Sequence, residues 1–432
     1  MTPPSQTSTA PAPGQQGAAT LVTVMLLFLI MAMMAAVANR NLVFEQRIGG
    51  NYYRAGVALE TAEAGAEWAL AMLNGDAINE ACAPDAAIGN SFRERYLAIA
   101  AASRVVSPLR LDNKPSADCM RSEAQSWVCR CPVGAWAPPA APAAGTQMQP
   151  SFQLSFPKPI VGNRPGIVRL VATACTSSTL ADCDGTEVAR DAVEGQAVVS
   201  VDAALLSALK IPPASPLTVK GNINLDANGI GLHNSDPKAS HGLLLQTGAA
   251  NIPNLQATRL DSTPGTPIEL TLLVADPVLQ AAGPAQLFAM FFGMSAEHYS
   301  QQPAIRKIVC AGDCGPSLAA AYARGVRMVW VDGPMHINTN TVLGSLNRPM
   351  LLVVDGSVDI DAPLQMTGLL YSRGPSSWNN TGGMQALLSG ALVVEGDLSI
   401  TGNVDLWYRW DVLEQLKNAT GSLVRVPGSW WN

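Results

Sequence analysis

The chain has 432 residues, 48% of them hydrophobic, 14% charged and 6% aromatic, with a mean hydropathy of +0.16. That length allows two or three domains, and that apolar content excludes disorder over most of the chain. The net charge of −6 lacks the basic face of a nucleic-acid binder, and the 37 glycines follow no three-residue period, which excludes collagen.

In chain order the first element is an uncharged run, AATLVTVMLLFLIMAMMAAVA at 18–38. As a helix it is about 30 Å long, one hydrocarbon thickness. It exceeds the apolar region of a secretory signal peptide, and no small-residue cleavage site sits cleanly at its end. No proline interrupts 39–73, where Ala55, Leu59, Ala62, Ala66, Ala69 and Leu73 form one apolar stripe. Glu60, Glu63 and Glu67 lie on the other faces, and Asn74-Gly75 supplies a stop. The spacing predicts a single helix over 18–74, apolar at first and amphipathic later.

These residues resemble the N-terminal region of PilX-type minor pilins of type IV pili. The resemblance spans 15–70 and rests on four features: Gly17 ahead of a small residue and an apolar stretch, Glu45 with Arg47, the GGN at 49–51, and ALETAEAG at 58–65. It implies a leader at 1–17, removed by a prepilin peptidase between Gly17 and Ala18. It also implies an inner-membrane anchor whose partners are the membrane, other minor pilins, the major pilin and the inner-membrane assembly machinery, with no enzymatic activity and no cofactor. Pilins of this kind usually carry a glutamate five residues into the mature chain. Val22 stands there instead, a loss shared with some pseudopilins at fibre tips. The leader holds no Lys or Arg while Arg40, Arg47 and Arg54 follow the apolar run, so the positive-inside rule alone puts the N-terminus outside. The cysteines point the other way and take precedence, giving a single-pass protein with a periplasmic C-terminal part that later reaches the pilus or cell surface.

Eight cysteines, at 82, 119, 129, 131, 175, 183, 310 and 314, form no Cys-x-x-Cys pair and have no clustered histidines, which favours disulfides over a zinc site. Cys175–Cys183 and Cys310–Cys314 would close short loops, while Cys129 and Cys131 bond elsewhere, with Cys82 and Cys119 as the obvious partners in either connectivity. Residues 75–210 read as a pilin-like head. A short helix is expected near 91–102, a proline–alanine loop or linker over 132–150, and strands at 152–156, 166–175 and 196–203. The amphipathic helix needs such a sheet to cover its stripe.

Over 211–432 a ten-residue pattern recurs: LTVKGNINLD from Leu217, VWVDGPMHIN from Val329, LVVDGSVDID from Leu352 and LVVEGDLSIT from Leu392. Each copy reads as two short strands hinged at a glycine, namely Gly221, Gly333, Gly356 and Gly396. The separations are unequal, so the expected fold is α+β with an irregular β-solenoid-like C-terminal part, a β-sandwich being the alternative. A helical insertion is expected around 284–325. Its Leu287, Met290, Phe291 and Met294 either cover the strands or form a greasy surface.

The β-rich half carries Asp332, Asp355, Asp359, Asp361, Glu395 and Asp397, and paired carboxylates on a solenoid face can cleave polysaccharides, but most of these acids adjoin turns, where aspartate caps backbone. His233, His241, His298 and His336 belong to no motif, and no metal site is expected. The reading is a minor pilin or pseudopilin-like subunit, placed at a fibre tip with an adhesive role. The alternative is a membrane-tethered β-helical carbohydrate-binding protein or hydrolase outside any fibre.

Overall fold

The computed structural model describes residues 16–87, 90–110, 114–122, 126–136, 148–158, 164–178, 194–236 and 240–431. It opens with one helix, Gln16–Leu73, and continues as a mixed α/β, strand-rich body.

Six antiparallel strands form the first sheet, in the spatial order Gly421–Arg425, Gln196–Ser207, Ile167–Cys175, Ser151–Ser155, Ala117–Arg121, Trp127–Arg130. Period-two alternation turns Phe152, Leu154, Leu170, Ala172, Val199 and Val201 into a core under the end of the helix. The helix answers with Ala58, Ala62, Ala66, Ala69 and Leu73, all buried. Small residues there let the backbone come close: a Cβ on Gly65 would lie 2.8 Å from the Phe152 ring. Of the expected stripe, Ala55 is exposed and Leu59 only half-buried. The sheet runs out at this level, where the chain entering strand Gln196–Ser207 crosses the helix so tightly that a Cβ on Gly195 would meet the Arg54 carbonyl at 2.5 Å.

Two expectations shift. The helix expected near 91–102 is a single turn, Phe92–Tyr96, closed by a capping box between Ser91 and Glu94. It stops because Leu97–Ile99 is drawn into a hairpin with Val106–Pro108. The division expected at residue 210 is also crossed, because the chain end returns to the first sheet. Strand Gly421–Arg425 pairs with Gln196–Ser207, and Trp431 exchanges backbone hydrogen bonds with Ser200. Asn74, at the helix stop, secures this return: its side chain donates to the Leu423 carbonyl and accepts from the Leu423 amide, both at 2.8 Å.

Between these two strands the sheet pairing is parallel throughout, in three stacks. The first contains Ile305–Ile308, Met328–Val331, Met350–Val354, the ends of Leu364–Ser372 and Ala386–Val394, then Leu217–Val219, Leu245–Thr247 and Leu272–Leu273. The second runs Met335–Ile337, Val358–Ile360, Ser376–Asn380, Leu398–Gly402, Ile223–Leu225. The third joins Thr341–Leu343, the starts of Leu364–Ser372 and Ala386–Val394, Val404–Tyr408, Gly231–Asn234 and Leu260–Ser262. Equivalent residues enclose one apolar interior, and the outer face of the first stack is covered by the helices Pro277–Ala281, Pro284–Phe292, Ala296–Ser300 and Trp410–Asn418. Burial on both faces is why that stack reads as unbroken apolar runs such as LLVV.

The copy at Leu217 comes first in sequence but sits beyond the copy at Leu392, so the first repeat docks on the last. A fifth copy, LYSRGPSSWN from Leu370, lies between those at Leu352 and Leu392. Serine at its third and seventh positions hides it from an apolar pattern.

Glycines govern how closely successive turns approach. Gly368 and Gly390 mark bends with φ of +147° and +144°, and a Cβ on Gly368 would fall 1.8 Å from the Met350 carbonyl oxygen. Gly368→Ala is expected to destabilise the chain by at least ~2 kcal/mol, while Gly382→Ala, with open space around it, is neutral. Denaturant midpoints of the two variants check this, and equal midpoints refute it.

Candidate functional site

The feature without an internal role is the first part of the long helix. Every residue from Ala19 to Tyr53 is exposed, whereas Ala58–Leu73 is seated on the sheet. Those 35 residues make an arm of about 52 Å at 1.5 Å per residue. Sixteen large apolar side chains between Leu21 and Phe44 are exposed on it. At roughly 1.5–3 kcal/mol for each side chain removed from water, leaving them solvated costs tens of kcal/mol. The arm therefore needs an apolar covering, from lipid or from protein. Its most apolar window has a mean hydropathy of 2.7 and no part of it is buried. Composition and length suit a membrane span.

The second grouping is the row of charges preceding the hinge glycines. Asp332, Asp355, Arg373, Glu395 and Lys220 occupy one position on successive turns, each donating its amide to the turn before. Arg373 pairs with Asp355 and lies 3.9 Å from Glu395, and the buried Tyr371 hydroxyl donates to Glu395 at 2.7 Å. Burial raises the Glu395 carboxyl above its ordinary 4.5, against the opposing pull of the Tyr371 hydroxyl and Arg373. This row is a ladder of ions in which the Arg373 guanidinium stands between the Asp355 and Glu395 carboxylates. Asp397 caps the Asn222 amide at 2.7 Å, and Asp359 and Asp361 lie on the second stack, where Asp361 comes within 4.0 Å of His336. Of the six densely placed acids, Asp332, Asp355 and Glu395 thus belong to the ladder. Among the described residues no three His, Cys, Asp or Glu side chains are grouped to hold a metal ion.

The four histidines fall apart in space. His298 faces Ser295 within one helical turn, His241 sits in a 3-10 turn at φ 52°, and His336 neighbours Asp361. His233 alone joins a cluster, with Trp407, Asp405, Arg259 and Asp261. The Leu287 and Phe291 side chains of the helical insertion pack onto the first stack, Met294 partly so, and Met290 remains exposed.

Residues 16–67 match the family model described as PilX N-terminal. No curated protein and no solved structure matches the chain. The PilX match covers the exposed arm and most of the helix seated on the sheet, and suits a membrane-anchored pilin of a type IV pilus, a structural rather than catalytic family. The Gly17–Ala18 junction lies within it, in helix Gln16–Leu73, and residues 1–15 lie outside the described residues. Beyond the PilX segment, disulfides link Cys82 to Cys131 and Cys119 to Cys129, drawing the loops around the hairpin onto the edge of the first sheet. Closing the 49-residue separation of the first is worth on the order of 4 kcal/mol in the chain-entropy account. Cys310 and Cys314 are joined. Cys175 is disulfide-bonded, and its expected partner Cys183 lies outside the described residues, as does most of the proline–alanine segment.

The raised Glu395 gives the ladder a pH signature. The folded chain keeps a proton on this carboxyl that the unfolded chain has already released, so stability falls as pH rises from 4.5 towards the folded value. Glu395→Gln is expected to flatten that decline. Urea midpoints between pH 4 and 7 decide it, and an unchanged slope refutes it.

Proposed function

We propose that this chain is a PilX-type minor pilin, or the equivalent subunit of a pseudopilus, that anchors in the inner membrane and then enters a fibre. The exposed apolar arm at 19–53, continuous with a seated segment and coincident with the PilX match, carries this reading. Held in the bilayer, the arm is covered by lipid; transferred to a fibre, it exchanges lipid for the helices of other subunits. Prepilin peptidase cuts between Gly17 and Ala18, freeing the arm as the mature N-terminus. The disulfides fit a body held in the oxidising periplasm before export to the pilus and cell surface. Its partners are other minor pilins, the major pilin and the assembly machinery.

The parallel turns after the first sheet form an irregular β-solenoid, hinged at Gly221, Gly333, Gly356 and Gly396. In-register pairing and the close approach of these glycines to one another support it: a Cβ on Gly356 would meet the Gly333 backbone at 2.7 Å, and one on Gly221 the Gly396 carbonyl at 2.6 Å. Residues 208–420 exceed what a stacking subunit requires, and Val22 removes the carboxylate typical of shaft subunits; both favour the fibre tip and an adhesive role.

The mature N-terminal residue and intact mass of membrane-extracted protein, compared between cells with and without active prepilin peptidase, test the proposal. A chain starting at Ala18 only when the peptidase works is expected. An intact Met1, or cleavage near residue 38, overturns the fibre reading in favour of a tethered β-rich protein.

A further inference from the structure

On the outer face of the third stack, in-register pairing lines up Thr367, Ser389, Trp407, His233 and Asp261 on successive strands. Trp407 is 43% exposed, and one face of its indole is stacked by the His233 ring at 4.4 Å and 18°. His233 is itself held: its Nε2 lies 3.4 Å from Asp405, which also accepts a 2.9 Å hydrogen bond from Arg259. These partners keep Asp405 ionised, holding its carboxyl below the usual range. A charged network on the outside of the stack thus fixes an aromatic ring that contributes nothing to the interior.

On the side of Trp407 away from His233, the next two register positions are Ser389 and Thr367, half-buried side chains too short to cover an indole face. With strands about 4.8 Å apart, Thr367 lies about 10 Å from the indole plane, which leaves a shelf one ring deep floored by the Ser389 hydroxyl. An indole face attracts positively polarised C–H groups, and hydroxyl groups beside it hydrogen-bond in both senses. A pyranose offers that pairing, with a C–H face on one side and a rim of hydroxyls around it. We propose that the open face of Trp407 and the Ser389–Thr367 shelf bind a carbohydrate as a pyranoside. The site stands whether or not the chain enters a fibre, so its failure and the failure of the pilin reading are separate results.

Saturation-transfer NMR on the full chain in a zwitterionic, sugar-free detergent tests it, with methyl β-galactoside, methyl α-mannoside and N-acetylglucosamine as probes at millimolar concentration. Transfer to the C–H face of at least one probe is expected. Trp407→Ala should reduce that transfer at least fivefold, and so should Ser389→Tyr, which fills the shelf with Trp407 intact. Trp431→Ala, removing an indole of similar exposure on the first sheet, should leave it unchanged. Absence of transfer to all three probes, or transfer that survives both shelf variants, overturns the proposal.

Discussion

A helix of 58 residues rests on a sheet that covers only its last sixteen or so. Everything else follows from that mismatch in length. The seated part is built of alanine and glycine because a six-stranded sheet can approach a helix closely only where side chains are small, as Gly65 against Phe152 shows. Past Arg54 the sheet has ended and composition changes to leucine, methionine and valine, which no part of the body covers. An apolar surface of that size fixes the chain's environment more firmly than any pocket in the body does.

The remainder of the body obeys a second constraint, the spacing of parallel strands. Turns that stack at about 4.8 Å leave no room for a side chain at several of the bends between stacks, as at Gly356, Gly368, Gly390 and Gly396. Position four of each turn then faces the same position above and below, so like charges would repel along the whole row. Arg373 between Asp355 and Glu395, and Lys220 beyond Glu395, relieve that repulsion. Asp332 and Asp355 remain adjacent at the end of the row away from Lys220.

Much of this was legible in the chain itself. The uninterrupted run from Ala18, the stop at Asn74-Gly75, and the strands around Phe152, Val168 and Val199 are local signals, and local signals survive folding. Less legible were features decided by distant partners. Ala55 belongs to the apolar stripe by spacing, yet the sheet ends before reaching it. The one-turn helix at Phe92 has helical neighbours in sequence but loses Leu97 to a hairpin. The turn at Gly374 lacked apolar residues at two pattern positions and was invisible without its neighbours, and the order of the copies was unreadable because docking of Leu217 on Leu392 is a contact across 175 residues. Trp407 and His233 gave no motif at all, since they meet only through parallel register.

The route of the chain explains how so large a body coexists with so ordinary a helix–sheet unit. The chain leaves the first sheet at Ser207 and returns at Gly421, and these two residues are direct register partners on neighbouring antiparallel strands. Residues 208–420 are thus an insertion into what would otherwise be a hairpin. Loop-closure entropy grows only with the logarithm of length, so each doubling of such an insertion costs about 0.6 kcal/mol, provided the insertion folds on its own contacts. The returning strand recovers more than that, because Leu423 enters the core beneath the helix and its backbone makes two hydrogen bonds with the Asn74 side chain. Anything pulling on the stacked turns pulls on those paired strands and on the ion pairs of Arg306 and Arg324 with Asp76 beside the helix end. Load is delivered there to the end of the helix whose other end is the uncovered apolar arm.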